Sequence, residues 1–264
     1  MKLEAHSLAF GYRGYPVGRD VSMSFAAGEV VCLLGPNGGG KTTFFKTLLG
    51  LLAPQGGCVV LGGEDLSRLP RKEIAKRVSY VPQAHAGYFP FTVREVVVMG
   101  RTAHLAPFAA PARHDRERAA AAIAELALDA LADKPYTRIS GGERQLTLIA
   151  RALAQDAPLV VMDEPTASLD FGNQVKVLER VRALSRRGIG VLMATHDPDQ
   201  AFLCASRVAL FHGGRLLADG APEDVVTREN LRSVYGVNVA VAEIARPGAE
   251  ARRVCLPELP QAPR

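Results

Sequence analysis

The stretch Val30-Val31-Cys32-Leu33-Leu34-Gly35-Pro36-Asn37-Gly38-Gly39-Gly40-Lys41-Thr42-Thr43 constrains the fold more than any other part of the chain. Its apolar run has no polar face, which suits a strand buried on both sides within a mainly parallel sheet. The loop after it matches G-x-x-x-x-G-K-[ST] from Gly35 to Thr42. Phe45, Leu48, Leu49 and Leu52 then recur at helical spacing, with Pro54 beyond the end. Strand, glycine loop and helix in this order make a phosphate cradle. The glycines allow successive N–H groups to turn toward phosphate oxygens, and the helix N-terminus adds positive potential. Lys41 is placed to meet the β- and γ-phosphates, and Thr42 offers a hydroxyl to Mg²⁺. A chance glycine-rich turn would lack this pairing of a buried strand with an amphipathic helix.

A second pattern is Leu159-Val160-Val161-Met162-Asp163-Glu164-Pro165. Carboxylates at the C-terminal end of a buried strand lie where parallel sheets bind ligands. Asp163 is expected to hold Mg²⁺ through water, and Glu164 to orient and deprotonate the attacking water. Taken alone, the run is a strand entering a solvated loop. Beside the glycine loop it becomes catalytic in character. A third pattern, Ile139-Ser140-Gly141-Gly142-Glu143-Arg144-Gln145, opens an amphipathic helix through Ala154, with Leu146, Ile149, Ala150 and Leu153 on one face. Ser140 and Glu143 form a capping box. A cap does not require two glycines, and Ser140 to Gly142 make a second small anion site. Two anion sites with one catalytic glutamate suggest a nucleotide held between two copies of the chain.

The organisation around these patterns is α/β. Strands are expected at Leu3–Phe10, Val21–Phe25 and Glu29–Leu34, and again at Leu159–Met162, Gly190–Ala194, Arg207–Phe211 and Arg215–Ala218. Between them lies a helical section, Ala-, Arg-, Glu- and Leu-rich from Arg113 to Asp133. Residues 237–257 read as two short strands turning at Pro247–Gly248, followed by a loose ending, PELPQAPR.

Composition excludes several alternatives. Of 264 residues, 48% are hydrophobic, too many for a disordered chain. The longest weakly charged stretch, Thr47 to Gly63, is broken by Pro54, Gln55 and glycines, so no membrane span is expected. Glu4 and His6 interrupt any signal-like apolar run, which points to a protein that stays where it is made. The four cysteines (Cys32, Cys58, Cys204 and Cys255) show no zinc or disulfide spacing, as expected in a reducing compartment. The net charge of +5 is spread among acidic residues, which reads as a solvated surface and not as a nucleic-acid tract. His85, His104 and His212 have no ligand spacing among themselves and read as surface or satisfied polar residues.

The chain resembles the ATP-binding subunit of ATP-binding-cassette (ABC) transporters over nearly its whole length. The resemblance rests on GPNGGGKTT, Gln83 in YVPQ, ISGGERQ, VVMDEP, the Ala167-Ser168-Leu169-Asp170 loop and His196 in ATHD, all in family order. It implies a P-loop NTPase (RecA-like) core with an N-terminal antiparallel β part and an inserted α-helical subdomain. On that reading residues 1–245 form one ATPase domain. Its core spans about residues 1–90 and 157–245, its helical insertion about 91–156, and residues 246–264 form a short terminal strand or tail. ATP with Mg²⁺ is implied, bound by Tyr12, Gly35, Pro36, Asn37, Gly38, Gly39, Gly40, Lys41, Thr42 and Thr43. Tyr12 matches the aromatic that stacks on adenine, and Tyr15 competes for that role.

By the same resemblance Gln83 joins Thr42 and Asp163 around Mg²⁺ and senses a membrane subunit. Ser140, Gly141, Gly142 and Glu143 face the ATP of the opposite protomer. Ser168 and Asp170 belong to the loop crossing the dimer interface, and His196 contacts the γ-phosphate beside Glu164. Two departures are mild: Ile139 replaces the commoner Leu, and Gly39 stands where many members carry Ala, Ser or Cys. Partners implied are a second cassette, integral membrane permease subunits and, only indirectly, a periplasmic binding protein, with no nucleic acid. The implied location is the cytoplasmic face of the inner membrane, as a peripheral subunit.

The segment FPFTVREVVVMGR followed by TAHL resembles importers for iron–siderophore complexes, haem and cobalamin, with molybdate-type oxyanions a further possibility. EPTASLDFGNQ and SVYGVNV point the same way. A soluble ABC ATPase of iron–sulfur assembly is the more distant alternative. Tyr88, Phe89 and Phe91 cluster after Gln83, and at least one is expected to be exposed toward a partner, because neighbours in an extended segment point to opposite sides.

Overall fold

The computed structural model describes residues 1–83, 90–167, 169–246 and 249–258. Two long strands, β1 (Lys2–Tyr12) and β2 (Tyr15–Ala26), form an antiparallel ribbon ending in a tight turn where Tyr12 opposes Tyr15. The uniformly buried β3 (Val30–Leu34) leads through the glycine loop into α1 (Lys41–Leu48). After β4 (Gly56–Leu61) and β5 (Glu64–Asp65) come α2 (Arg71–Arg77) and β6 (Val78–Val81). Helices α3 (Val93–Val98), α4 (Arg113–Glu125) and α5 (Gly141–Ala154) pack on one another. Next are β7 (Leu159–Asp163), α6 (Phe171–Arg186), β8 (Gly190–Thr195) and α7 (Pro198–Cys204). The chain continues through β9 (Arg207–His212), β10 (Arg215–Gly220), α8 (Pro222–Val225) and α9 (Arg228–Tyr235), and closes with β11 (Val239–Arg246) and β12 (Ala249–Pro257).

Six strands form one sheet in the order β10-β9-β3-β8-β7-β6, parallel from β9 to β6 with an antiparallel edge at β10. A four-stranded antiparallel sheet, β2-β1-β4-β5, lies against one face. Alternation along β3 divides its side chains between two cores. Val31 and Leu33 join the core shared with the antiparallel sheet, while Val30, Cys32 and Leu34 join the core shared with the helices. The doubly buried apolar strand expected from the sequence is therefore present, and so are the mixed sheets and the helical section.

Three local expectations need adjustment. Helix α4 stops at Glu125, and Ala127 takes a φ of 55°; a short 3₁₀ turn, Asp129–Leu131, replaces further α-helix. Along α5 the fully buried set is Leu148, Ile149, Ala150, Ala152 and Ala154 with Gln145 and Thr147, whereas Leu146 and Leu153 are only partly covered. Packing against both α3 and α4 widens the buried face beyond a single stripe. The expected boundary at residue 245 falls within the β11–β12 hairpin, whose second strand lies on α7. There the Cys255 N–H donates to Asp199 Oδ1 at 2.8 Å. Of the ending PELPQAPR, Pro257 closes β12 and Glu258 pairs with Arg228 at 2.8 Å; the rest lies outside the described residues.

The glycine loop is anchored from three directions. Phe10 of β1, Phe44 of α1 and Phe211 of β9 form an aromatic cluster with centroid separations of 5.4, 5.8 and 6.3 Å. Such contacts add to area burial and fix helix to sheet. A Cβ on Gly35 would collide with the Phe211 carbonyl. Gly40 has φ +95° with the Val17 side chain against it, so both chirality and space exclude a larger residue there. Among the described residues, no helix is long and apolar enough to cross a membrane.

Candidate functional site

Strand register gathers the site. Leu34 lies opposite Thr195, Asp163 opposite Ala194, and Val81 opposite Met162. Gly35 and His196 therefore leave their strands side by side, Asp163 ends the neighbouring strand, and Gln83 follows two residues after Val81. All emerge at the C-terminal edge of the parallel strands, where α/β sheets bind ligands.

The loop's donors are open. Helix α1 begins after Gly40 with no side-chain cap, so its first-turn N–H groups have no intrahelical acceptor. Gly39 N–H is taken by the Pro36 carbonyl, and the Gly39 carbonyl by Gly214 N–H, which hold the loop's shape. Gly38 and Gly40 both adopt positive φ, and their N–H groups have no acceptor among the described residues.

Lys41 is buried, 4% exposed, and donates to the carbonyls of Gly35 (2.7 Å) and Pro36 (3.0 Å). Its Nζ also lies 3.3 Å from Glu164 Oε1, while His196 Nδ1 lies 3.3 Å from Glu164 Oε2. Glu164 itself has φ 48°, an unusual conformation for a non-glycine residue. That turn re-aims the chain just after Asp163, and the Glu164 N–H still reaches the Ala194 carbonyl at 3.2 Å. Strain at a residue whose carboxylate bridges a lysine and a histidine is what active sites commonly store.

Asp163 is largely buried, and burial raises its carboxyl above the usual aspartate range. The Thr42 hydroxyl bond works against that rise, and the neighbouring Glu164 charge adds to it. Tyr80 also bonds Asp163, and its own phenol is pushed up by burial and by that carboxylate. A desolvated carboxylate bonded to a threonine hydroxyl, with an exposed amide side chain at Gln83 on the adjacent strand end, is an all-oxygen donor set. Such a set fits a hard cation such as Mg²⁺, which takes few protein ligands when phosphates supply the rest.

The structure thus brings Lys41, Thr42, Asp163, Glu164 and His196 together. It does not bring Ser140, Gly141, Gly142 or Glu143 to them, since among the described residues no bond joins these two groups. Ser140 Oγ accepts from Glu143 N–H (3.2 Å) and Glu143 Oε2 accepts from Ser140 N–H (2.7 Å), so the capping box is as expected. A Cβ on Gly141 would meet nothing within 4 Å, so this chain's own packing does not demand glycine there. Asp170 caps α6 through Asn173 N–H (2.8 Å). Tyr12 and Tyr15 are both exposed. Phe91 is 44% exposed; Ser168, Tyr88, Phe89 and His85 lie outside the described residues.

Two supports were missing from the sequence reading. Tyr235 Oη donates to the His196 carbonyl at 3.1 Å, and Gln200 Oε1 accepts from both Thr195 and Thr166 hydroxyls. Nothing in sequence links Tyr235 to a residue 39 positions earlier. Tyr80 lies in YVPQ, three positions before Gln83, on a strand the expected set did not include.

The ABC transporter family profile matches residues 19–167. An uncharacterized ABC transporter ATP-binding protein of Haemophilus influenzae is 43% identical over 89% of both chains. A hemin import ATP-binding protein of Nocardia farcinica is 42% identical over 87% of this chain and 79% of its own length. Among solved structures, a metal-chelate type ABC transporter in an inward-facing conformation superposes with a TM-score of 0.84 at 30% identity, covering 97% of each chain.

Proposed function

The chain belongs to the ABC transporter family as its ATP-hydrolysing subunit, and from that premise we propose that it drives import of an iron–siderophore complex or haem. The observation that carries the mechanism is the Lys41–Glu164–His196 cluster, with both contacts at 3.3 Å, beside a loop in which the Gly38 and Gly40 amides have no acceptor among the described residues. ATP phosphates enter the loop and Lys41 exchanges Glu164 and the loop carbonyls for β- and γ-oxygens. Released from the lysine, Glu164 orients a water toward the γ-phosphorus and accepts its proton as the P–O bond to ADP breaks. His196 holds the carboxylate in place and meets the γ-phosphate. Thr42, Gln83 and, through water, Asp163 would hold Mg²⁺, which supplies neutralisation of phosphate charge when bound.

Hydrolysis on this reading needs two copies. Ser140, Gly141, Gly142 and Glu143 of one protomer close over the ATP in the other, with Ser168 and Asp170 in the crossing loop. The open space at Gly141 supports an approach from outside the chain. The core is assigned to about residues 1–90 and 157–245, and the helical subdomain to about 91–156. Between them a cleft of about 400 Å³ is lined by Leu51, Ile74, Tyr80, Met99 and Arg151, among others. Leu51 and Met99 are exposed apolar residues on its wall, suited to a short cytoplasmic helix of a permease. The chain then sits on the cytoplasmic face of the membrane.

The cargo assignment draws on relatives named for hemin and cobalamin import. Cells lacking the chain should fail to grow with haem or a ferric siderophore as sole iron source. Leu51→Glu with Met99→Glu should lose association with membrane subunits and transport while keeping ATP binding. Normal iron-limited growth of the deletion on both sources would refute the cargo assignment, and retained membrane association by the double variant would refute the docking site.

A further inference from the structure

A cleft of about 810 Å³ lies away from the glycine loop, between α6, the end of α7, α8 and the β11–β12 hairpin. Its volume is in the range of small-molecule sites. Four arginines line it: Arg182 and Arg186 near the end of α6, and Arg252 and Arg253 on β12. Two carboxylates, Glu223 and Glu243, share the lining.

Of the four arginines in this cleft, only Arg253 has an internal partner among the described residues. Arg253 donates to the Glu223 carbonyl at 3.2 Å. Arg182, Arg186 and Arg252 make no side-chain hydrogen bond or ion pair among the described residues, although both glutamates lie in the same lining. Their sequence neighbour Arg187 behaves differently, pairing with Glu125 at 3.0 Å outside the cleft. The floor offers little competing capacity. Ser185 Oγ is committed to the Gly28 carbonyl and Ser206 Oγ to that of Val30. What remains open to a ligand is three unpaired guanidiniums on a concave wall.

Arginines near a helix C-terminus have an ordinary explanation in the helix dipole, and an exposed one is usually just solvated. The dipole accounts for Arg186 in the last turn of α6, but not for Arg182 one turn earlier or for Arg252, which reaches the cleft from a different element. The hairpin is also held in place. Cys255 N–H is bound to Asp199, and Arg253 to Glu223, so the β12 wall is tied to α7 and α8. A fixed concavity with clustered guanidiniums concentrates anions and offers forked donors to phosphate or carboxylate oxygens.

We propose that this cleft is a second binding site, separate from the nucleotide site, for a small polyanion bearing phosphate or carboxylate groups. Its occupancy does not depend on the transport reading. The test is calorimetry on the full chain with neither nucleotide nor chelator present, since both are polyanions; binding at the glycine loop is told apart by its insensitivity to the arginine substitutions below. Inorganic pyrophosphate and citrate are the two probes, separating phosphate from carboxylate preference. At least one should bind with 1:1 stoichiometry.

Arg182→Ala with Arg252→Ala should weaken that binding by about tenfold or more, the equivalent of one charge-assisted bond, and leave ATP affinity unchanged. Both side chains are exposed and bond-free, so the variant should fold normally. Glu243→Gln, which removes a repelling charge from the lining, should tighten the same probe. Failure of both probes to bind the wild type, or equal binding by wild type and the arginine variant, would overturn the proposal.

Discussion

Replacing Glu164 by Gln separates binding from chemistry. The carboxylate lies between Lys41 Nζ and His196 Nδ1, each at 3.3 Å, with only 14% of the side chain exposed. Glutamine keeps the shape but cannot accept a proton from water. Hydrolysis should fall by about two to four orders of magnitude, or about 3–5 kcal/mol of barrier. Affinity should move the other way. Lys41 retains the Gly35 and Pro36 carbonyls at 2.7 and 3.0 Å, so its ammonium is not orphaned by the change. In the wild type ATP must draw the lysine from a charged partner; in the variant that partner is neutral. A charge-assisted bond of about 1.5 kcal/mol sets the scale, so ATP affinity should hold or rise by up to about tenfold. Single-turnover hydrolysis and a fluorescent-ATP titration measure the two quantities. Turnover within about threefold of wild type, a difference of well under 1 kcal/mol, would refute the catalytic assignment. Clearly weaker ATP binding would refute the picture of Lys41 held in check by Glu164.

Lys41→Ala removes the phosphates' direct cationic partner and should weaken ATP binding by about tenfold or more in calorimetry. Gly141→Ala places a methyl group in open space and raises helix propensity, so the melting temperature should stay level or rise. ATP hydrolysis by the assembled pair should nevertheless fall, because the methyl group occupies the partner's approach; full activity would argue against that approach. In the helical section Arg101 and Asp115 are almost inaccessible and 3.0 Å apart, and the guanidinium bond holds the carboxyl below the usual aspartate range. A lowered folded-state pKa gives stability that is present above the unfolded value and lost as pH falls through the folded one. Asp115→Asn should therefore lower the melting temperature at neutral pH, and the deficit should close in strong acid.

The sequence by itself determined the local elements whose physics is short-ranged. The run from Val30 to Leu34 had to be a doubly buried strand because it has no polar face, and the glycines of the loop from Gly35 to Thr42 signalled a tight turn, which Gly38 and Gly40 make with positive φ. Ser140 with Glu143 announced a helix start in the same way. The acid pair Asp163–Glu164 was legible too, as acids at the end of an apolar strand.

What tertiary structure decided was everything carried by contacts between distant segments. The order β9-β3-β8-β7 sets His196 beside Glu164, and a single positive φ at Glu164 turns its carboxylate toward Lys41. Tyr235 reaches the His196 carbonyl, and Arg252 comes into the lining that holds Arg182, only after the C-terminal helices and hairpin fold back onto α7. Periodicity and propensity act over a turn or a strand, whereas these placements come from sheet register and from apolar faces burying one another, which no window of sequence contains.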